Sequence, residues 1–229
     1  MRQFFSRTTG LRITICSLFL LTSQLSNAQA ENTANPNTGS EPQTIKGISA
    51  LNHWANMVER LRNPQLDPIE QLSALNQYFN RFSWRSDRQQ WQSDDHWSSS
   101  FDTIRTQRGD CEDLSIAKFS TLLALGYRED QLRLHYVFSR HIKSSHMVVS
   151  VRFDNGQEVL LDSLSDDLKP IAQRNDLQAI YRFNRDGLWI PKLGQGKRSL
   201  SLIPSWERLL QNDPILRNPE LLSQQFSSL

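Results

Sequence analysis

The chain is poor in cysteine. Two of its 229 residues are cysteine, Cys16 and Cys111, and the first lies in a segment that reads as removable. Residues 1–30 contain no acidic side chain. Arg2, Arg7 and Arg12 flank or precede a short apolar core, ITICSLFLLT (13–22), and the segment closes on Ala28-Gln29-Ala30, a small-x-small cleavage pattern. That core is well short of the roughly 20 apolar residues that cross a bilayer, which argues against a permanent anchor. No small-residue lipobox precedes Cys16, which argues against a lipoprotein. Residues 1–30 are therefore expected to be a cleaved secretory signal, leaving 31–229. The exported chain then holds Cys111 alone, which excludes an internal disulfide framework. With one thiol, no paired-thiol motif and no His-x3-His, a zinc site is disfavoured as well.

An excess of charge of one sign is also missing. The whole chain has 26 basic and 24 acidic residues, and losing the three signal arginines leaves 23 against 24. The apparent basicity belongs to the targeting segment, so composition gives no argument for nucleic acid or an anionic membrane surface as a partner. A lone thiol in an oxidising compartment calls for an explanation. It is either a buried inert side chain or a reactive one, and composition leaves both open.

Residues 31–47, ENTANPNTGSEPQTIKG, are polar and read as a disordered leader. From 48 to 229 there is no further linker, repeat or low-complexity run, which suits one domain. Its first half has helical periodicity. Leu51, Trp54, Val58 and Leu61 share a face. Asp67-Pro68 reads as a cap with proline at the first helical position, followed by Ile69, Leu72, Leu75, Tyr78 and Phe79. Residues 82–107, with Trp84, Trp91 and Trp97, show no period and are expected to form an ordered loop. A helix follows from Cys111, with Leu114, Ala117, Leu122 and Leu125 on it and Gly126 as its stop.

The second half alternates. LRLHYVFS (132–139), HMVVSVRF (146–153) and EVLLDSL (158–164) are strand-like and separated by turn chemistry such as Asp154-Asn155-Gly156. Helices first and an antiparallel sheet after make the expected class α+β.

The chemistry concentrates in RGDCEDLSIAKF (108–119), where Cys111 stands between Asp110 and Glu112, with Asp113 next. Asp110 reads as a helix cap, with Asp113 completing a variant of the capping box. Cys111 would then face the positive end of the helix dipole, which favours a thiolate, while its acidic neighbours oppose one. A thiol nucleophile needs a base held by a third group. Of the five histidines, His53, His96, His135 and His141 lie on a helix face, in the tryptophan-rich loop, in a strand and in a polar turn. His146 opens an apolar strand. Asp162 interrupts another, where a carboxylate is costly without a partner. A three-residue Asp154-Asn155-Gly156 loop would pair 153 with 157 and set His146 and Asp162 diagonally on one face. A two-residue turn would separate them.

GDCED (109–113), Ala117-Lys118-Phe119, Leu125-Gly126, LRLHYV (132–137), HMV (146–148), LLDSL (160–164), RNDL (174–177) and FNRDGLW (183–189) resemble the bacterial transglutaminase-like cysteine proteinases, and among them the LapG-type periplasmic proteases. Similarity extends upstream through LNQYFNRF (75–82) and DDHW (94–97). The resemblance implies a transglutaminase-like, papain-like core in which a helical N-terminal part packs on an antiparallel sheet. It implies Cys111 as nucleophile, His146 as general base and then acid, and Asp162 as the residue orienting His146. It also implies calcium beside the cysteine, on Asp110 and Glu112, with Asp94, Asp95 or Asp102 as further ligands to weigh. Plain helix-terminal acidity is the alternative reading of that acidic run. Two departures stand out: WSSSFDTI (97–104) replaces a Trp-Ala-Thr-Pro-like run, and Ser163 replaces a frequent Asn.

The function implied is calcium-dependent cleavage of a large surface adhesin in the periplasm, near its N-terminal retention module at a di-alanine site. Release of the adhesin disperses biofilm, and an inner-membrane receptor that senses cyclic di-GMP holds the protease in check. A glutamine-directed transglutaminase or deamidase would use the same Cys, His and Asp. A non-catalytic calcium-dependent binding module would need none of them.

Overall fold

The structure, a computed structural model, describes residues 41–194 and 196–219. The signal segment and the leader up to residue 40 lie outside the described residues. Seven helices and eight strands follow in order among them. These are α1 (Glu41–Leu61), α2 (Pro68–Asn80), β1 (Ser83–Trp84), α3 (Asp87–Trp91), α4 (Ser100–Thr106), β2 (Arg108–Gly109) and α5 (Cys111–Ala124). Then come β3 (Leu132–Ser139), β4 (Ser144–Arg152), β5 (Glu158–Asp162), β6 (Ser165–Pro170), β7 (Leu177–Phe183), β8 (Leu188–Trp189), α6 (Pro204–Asn212) and α7 (Pro214–Arg217).

Several local signals act as expected. Asp67 Oδ1 accepts from the Ile69 N–H at 2.8 Å and starts α2 with proline behind it. Past the end of α5, Gly126 takes φ +94°. The N–H groups of Gly126 and Tyr127 then reach back to Leu123 and Leu122, a Schellman closure that spends two orphan carbonyls.

Two expectations need correction. The leader expected to be disordered to residue 47 is helical from Glu41. Gly47 is not a break but a contact point, since a Cβ there would sit 2.7 Å from Arg105 Cγ of α4. The expected loop 82–107 instead contains two helices and one short strand, β1, which pairs with β2 just beyond it. Residues Ser83 and Trp84 pair in parallel with Arg108 and Gly109. Helices of five and seven residues are too short to show a period.

The sheet is antiparallel in the order β6-β5-β4-β3-β7-β8. One face carries Leu132, Leu134, Met147, Val149, Val151, Val159 and Leu161 into the main core. α5 lies on that face and is buried from Asp113 to Ala124. Two hydrogen bonds fix its position: Ser115 Oγ to the Met147 carbonyl at 2.8 Å, and Trp54 Nε1 of α1 to Thr121 Oγ1 at 2.9 Å. Each large apolar side chain buried here contributes about 1.5–3 kcal/mol. A helix this enclosed cannot shift along its axis without opening voids. On the other face Val137, Val148 and Leu160 line a cavity of about 70 Å³ with Ile171 of the β6–β7 connection and Leu177 and Ala179 of β7.

Candidate active site

The β4–β5 register decides the central question. Val149 pairs with Leu161, Val151 with Val159 and Arg152 with Glu158. The Phe153 N–H closes on the Gln157 carbonyl at 2.8 Å, as a three-residue Asp154-Asn155-Gly156 loop requires. His146 and Asp162 therefore share a face. His146 Nε2–H donates to Asp162 Oδ1 at 2.7 Å, with each side chain 1% exposed. Leu164 N–H reaches the same oxygen at 2.9 Å. Burial pushes the Asp162 carboxyl up, but the bond and charge of His146, the Leu164 N–H and Arg174 outweigh it and hold it well below the usual carboxylate range.

Cys111 is the first residue of α5, as expected. The N–H of Met147, the residue after His146, supports its sulfur and favours the thiolate. Burial opposes that form first, and then Glu112 and Asp110. The thiol donates to Glu112 Oε2 at 3.0 Å, and the net effect raises its pKa well above the usual range. In this state the thiol holds its proton.

The capping expectation fails. Asp110 occupies the N-cap position but makes no side-chain cap bond. Asp113 turns away and accepts from the Ser98 N–H at 2.8 Å and the Ser98 hydroxyl at 3.2 Å, which ties the start of α4 to α5. Gly109 makes that turn possible, because a Cβ there would lie 2.5 Å from the Asp113 Cβ. Freed from capping, Asp110 meets Glu112 and Asp87, with one carboxylate oxygen of each within 4.8 Å of the others. Asp110 Oδ1 and Asp87 Oδ1 are both buried without a hydrogen-bond partner. Burial, then Glu112, Asp113 and Asp87, push the Asp110 carboxyl up to about 10. Asp113 is pushed up to about 7, by burial first. Three carboxylates converging with two orphaned oxygens form a hard, anionic donor set suited to a divalent cation.

Asp110 and Glu112, expected as ligands, are thus brought together. Asp87 was missed, and no local signal marks it, since Arg85 and Arg88 flank it in the chain. Its second oxygen accepts from the His96 N–H at 2.6 Å, which turns the carboxylate toward the cluster. Asp94 pairs with Arg88 at 3.1 Å and Asp102 with Arg105 at 3.1 Å, and Asp95 is exposed and outside the cluster. His53 and His141 are exposed. His96 packs against Trp91 with ring centroids 4.7 Å apart. His135 is buried against Ser150 Oγ at 2.8 Å and near Glu158 at 3.6 Å, and holds the Glu158 carboxyl down at about 2.

A family profile described as bacterial transglutaminase-like cysteine proteinase (BTLCP) matches residues 54–185, more than half of the chain. The chain belongs to this family. Among solved structures, Legionella pneumophila LapG is 31% identical with a TM-score of 0.62, over 74% of this chain and 93% of that one. Its calcium-bound form is 34% identical with a TM-score of 0.61, over 75% and 97%. Its EGTA-treated form is 31% identical with a TM-score of 0.64, over 74% and 94%. No curated protein matches. The expected α+β, transglutaminase-like core is the fold this cysteine proteinase has, and α5 with β4 and β5 is the part that positions its candidate site.

Proposed function

We propose that the protein is a calcium-dependent cysteine endopeptidase of the periplasm, exported by the signal at 1–30, with Cys111 as nucleophile, His146 as base and acid, and Asp162 as the group orienting His146. One observation carries this reading: the buried His146–Asp162 pair at 2.7 Å, next to the Met147 N–H that supports the Cys111 sulfur. Engaging Nε2 with Asp162 leaves Nδ1 to exchange a proton with the thiol. The thiolate attacks the substrate carbonyl carbon, and the imidazolium returns the proton to the leaving amine. Water, deprotonated by His146, then cleaves the thioester and restores the thiol.

Asp87, Asp110 and Glu112 would hold the calcium, with backbone carbonyls or water filling the rest of the usual six to eight positions. Bound there, it supplies positive charge that offsets the carboxylates disfavouring the thiolate. The calcium-bound Legionella LapG supports this assignment. The proposed substrate is a large surface adhesin cut at a di-alanine site near its N-terminal retention module, so that cleavage releases it and disperses biofilm. The proposed regulator is an inner-membrane receptor that binds the protease and responds to cyclic di-GMP. Both follow from resemblance to LapG-type proteases.

The test incubates purified 31–229 with N-terminal fragments of adhesins from the same genome, with calcium, with a chelator and with Cys111→Ala. Cleavage confined to the calcium arm of the parent protein is expected. Amine incorporation or deamidation at glutamine without peptide cleavage would move the assignment to a transglutaminase. Adhesin binding that survives Cys111→Ala, with no covalent change in any arm, would leave a calcium-dependent binding module.

A further inference from the structure

The two oxygens of Asp162 have different neighbours. Oδ1 serves His146 and the Leu164 N–H. Oδ2 has no aligned hydrogen-bond donor and faces Arg174 Nη1 at 2.8 Å. That guanidinium is itself clamped, with Nε and Nη2 donating to the two oxygens of Asp176 at 2.9 and 2.8 Å. It comes from the connection between β6 and β7, and its side chain is only 12% exposed. A buried ion pair of this kind adds little stability over an apolar replacement, so its presence beside the dyad needs another reason.

We propose that Arg174 is a positioning residue for the reaction proposed above: it keeps the Asp162 carboxylate turned with Oδ1 toward His146, and its charge limits how strongly that carboxylate favours the protonated imidazole. The inference rests on the protease reading for its kinetic arm alone. The charged and titratable groups around the pair come from every neighbouring layer. Lys118 of α5 acts on Asp162 from the helix side and is itself acted on by Asp166. Asp176 stands behind Arg174. Cys111 and Glu112 lie across Met147, and farther along the same sheet face His135 pairs with Glu158. Of these, Arg174 alone both touches the Asp162 carboxylate in an ion pair and is held by a second carboxylate, so it supplies direction as well as charge.

The test compares Arg174→Gln and Arg174→Lys with the parent. The first arm follows the His146 ring resonances by NMR against pH in a Cys111→Ala background, which needs no peptidase activity. Arg174→Gln should make the imidazole titrate at higher pH than in the parent. The second arm is the pH–rate profile, where the acid limb, set by His146 as general base, should move to higher pH while kcat falls roughly ten- to a hundredfold through lost orientation. Arg174→Lys keeps the charge but loses the fork, so its limb should stay near the parent's with kcat lowered. That variant carries the test if Arg174→Gln does not fold, and a parental kcat in it would overturn the proposal. A folded Arg174→Gln with parental titration of His146 and a parental acid limb, whatever its thermal stability, would also overturn it. A parent without peptidase activity would refute the protease reading and leave the NMR arm to decide the role of Arg174.

Discussion

Replacing Asp110 by Asn should stabilise the protein when calcium is withheld and remove its response when calcium is supplied. The reason is the crowding of Asp87, Asp110 and Glu112 within 4.8 Å. Two unit charges at that distance repel by about 3.5 kcal/mol at an effective dielectric of about 20. Three ionised carboxylates would then consume much of the roughly 5–15 kcal/mol that keeps a domain folded. Without a cation the cluster responds by holding protons: burial first, and then the neighbouring carboxylates, push Asp110 up to about 10. An acid whose folded pKa is raised contributes stability below its unfolded value, near pH 4, and loses it as pH climbs toward the folded value. Chelated parent protein should therefore lose stability steadily from about pH 4 through neutrality, and Asp110→Asn should flatten that slope. At neutral pH Asp110 holds its proton in the folded chain and has lost it in the unfolded one, about three pH units above its free value at about 1.4 kcal/mol each. Halved for relaxation and water, this leaves about 2 kcal/mol for Asp110→Asn to recover, or roughly 4–8 °C in Tm. Calcium at a hundred times its Kd should add about 2.7 kcal/mol to the parent and little to the variant. Differential scanning fluorimetry with EGTA and with calcium, across that pH range, reads both effects. Chelated melts of parent and variant that agree within about 2 °C at every pH, with equal calcium gains, would refute the electrostatic account of the cluster.

Cys111→Ala should abolish cleavage while keeping the calcium-induced rise in Tm, measured by the same scan beside a gel assay, because Cys111 is not one of the three clustered carboxylates. Gly109→Ala would place a methyl 2.5 Å from the Asp113 Cβ. Denaturant unfolding should show a loss of about 1–3 kcal/mol, with cleavage impaired because Asp110 and Cys111 follow directly. Lys118 is fully buried, and donates to Asn76 and Asn80 at 2.8 and 2.7 Å. Burial pulls its pKa from 10.5 down to about 7, against the opposing charge of Asp162. A base lowered in this way makes folding more favourable as pH rises between those two values. The stability of the parent relative to Lys118→Met should therefore grow from pH 7 to pH 9, by at most about 1.4 kcal/mol per unit. A constant difference in urea melts at the two pH values would contradict this.

β3, β4, β5, α2 and the start of α5 were legible in the sequence because their signals are local. Asp67-Pro68 caps through its own next residues, and LRLHYVFS is the whole of β3. The pairing of His146 with Asp162 was legible as a condition on loop length, since strand parity turns one turn type into a shared face. The segment 82–107 was not, because helices of five and seven residues are too short to carry a period and are held by long-range partners such as Asp213, whose carboxylate accepts from the Ser100 N–H. The same reason explains Asp110. A carboxylate before a helix reads locally as a cap, and only the packing of the 87–98 segment against α5 diverts Asp113 to Ser98 and draws Asp110 toward Asp87. Arg174 belongs with these. Its place in the chain says nothing of Asp162, and the meeting of the two follows from folding the β6–β7 connection across the sheet. Residue type and spacing thus determined which groups could do chemistry. Contacts between elements far apart in the chain decided which of them meet, since such distances depend on how whole layers pack.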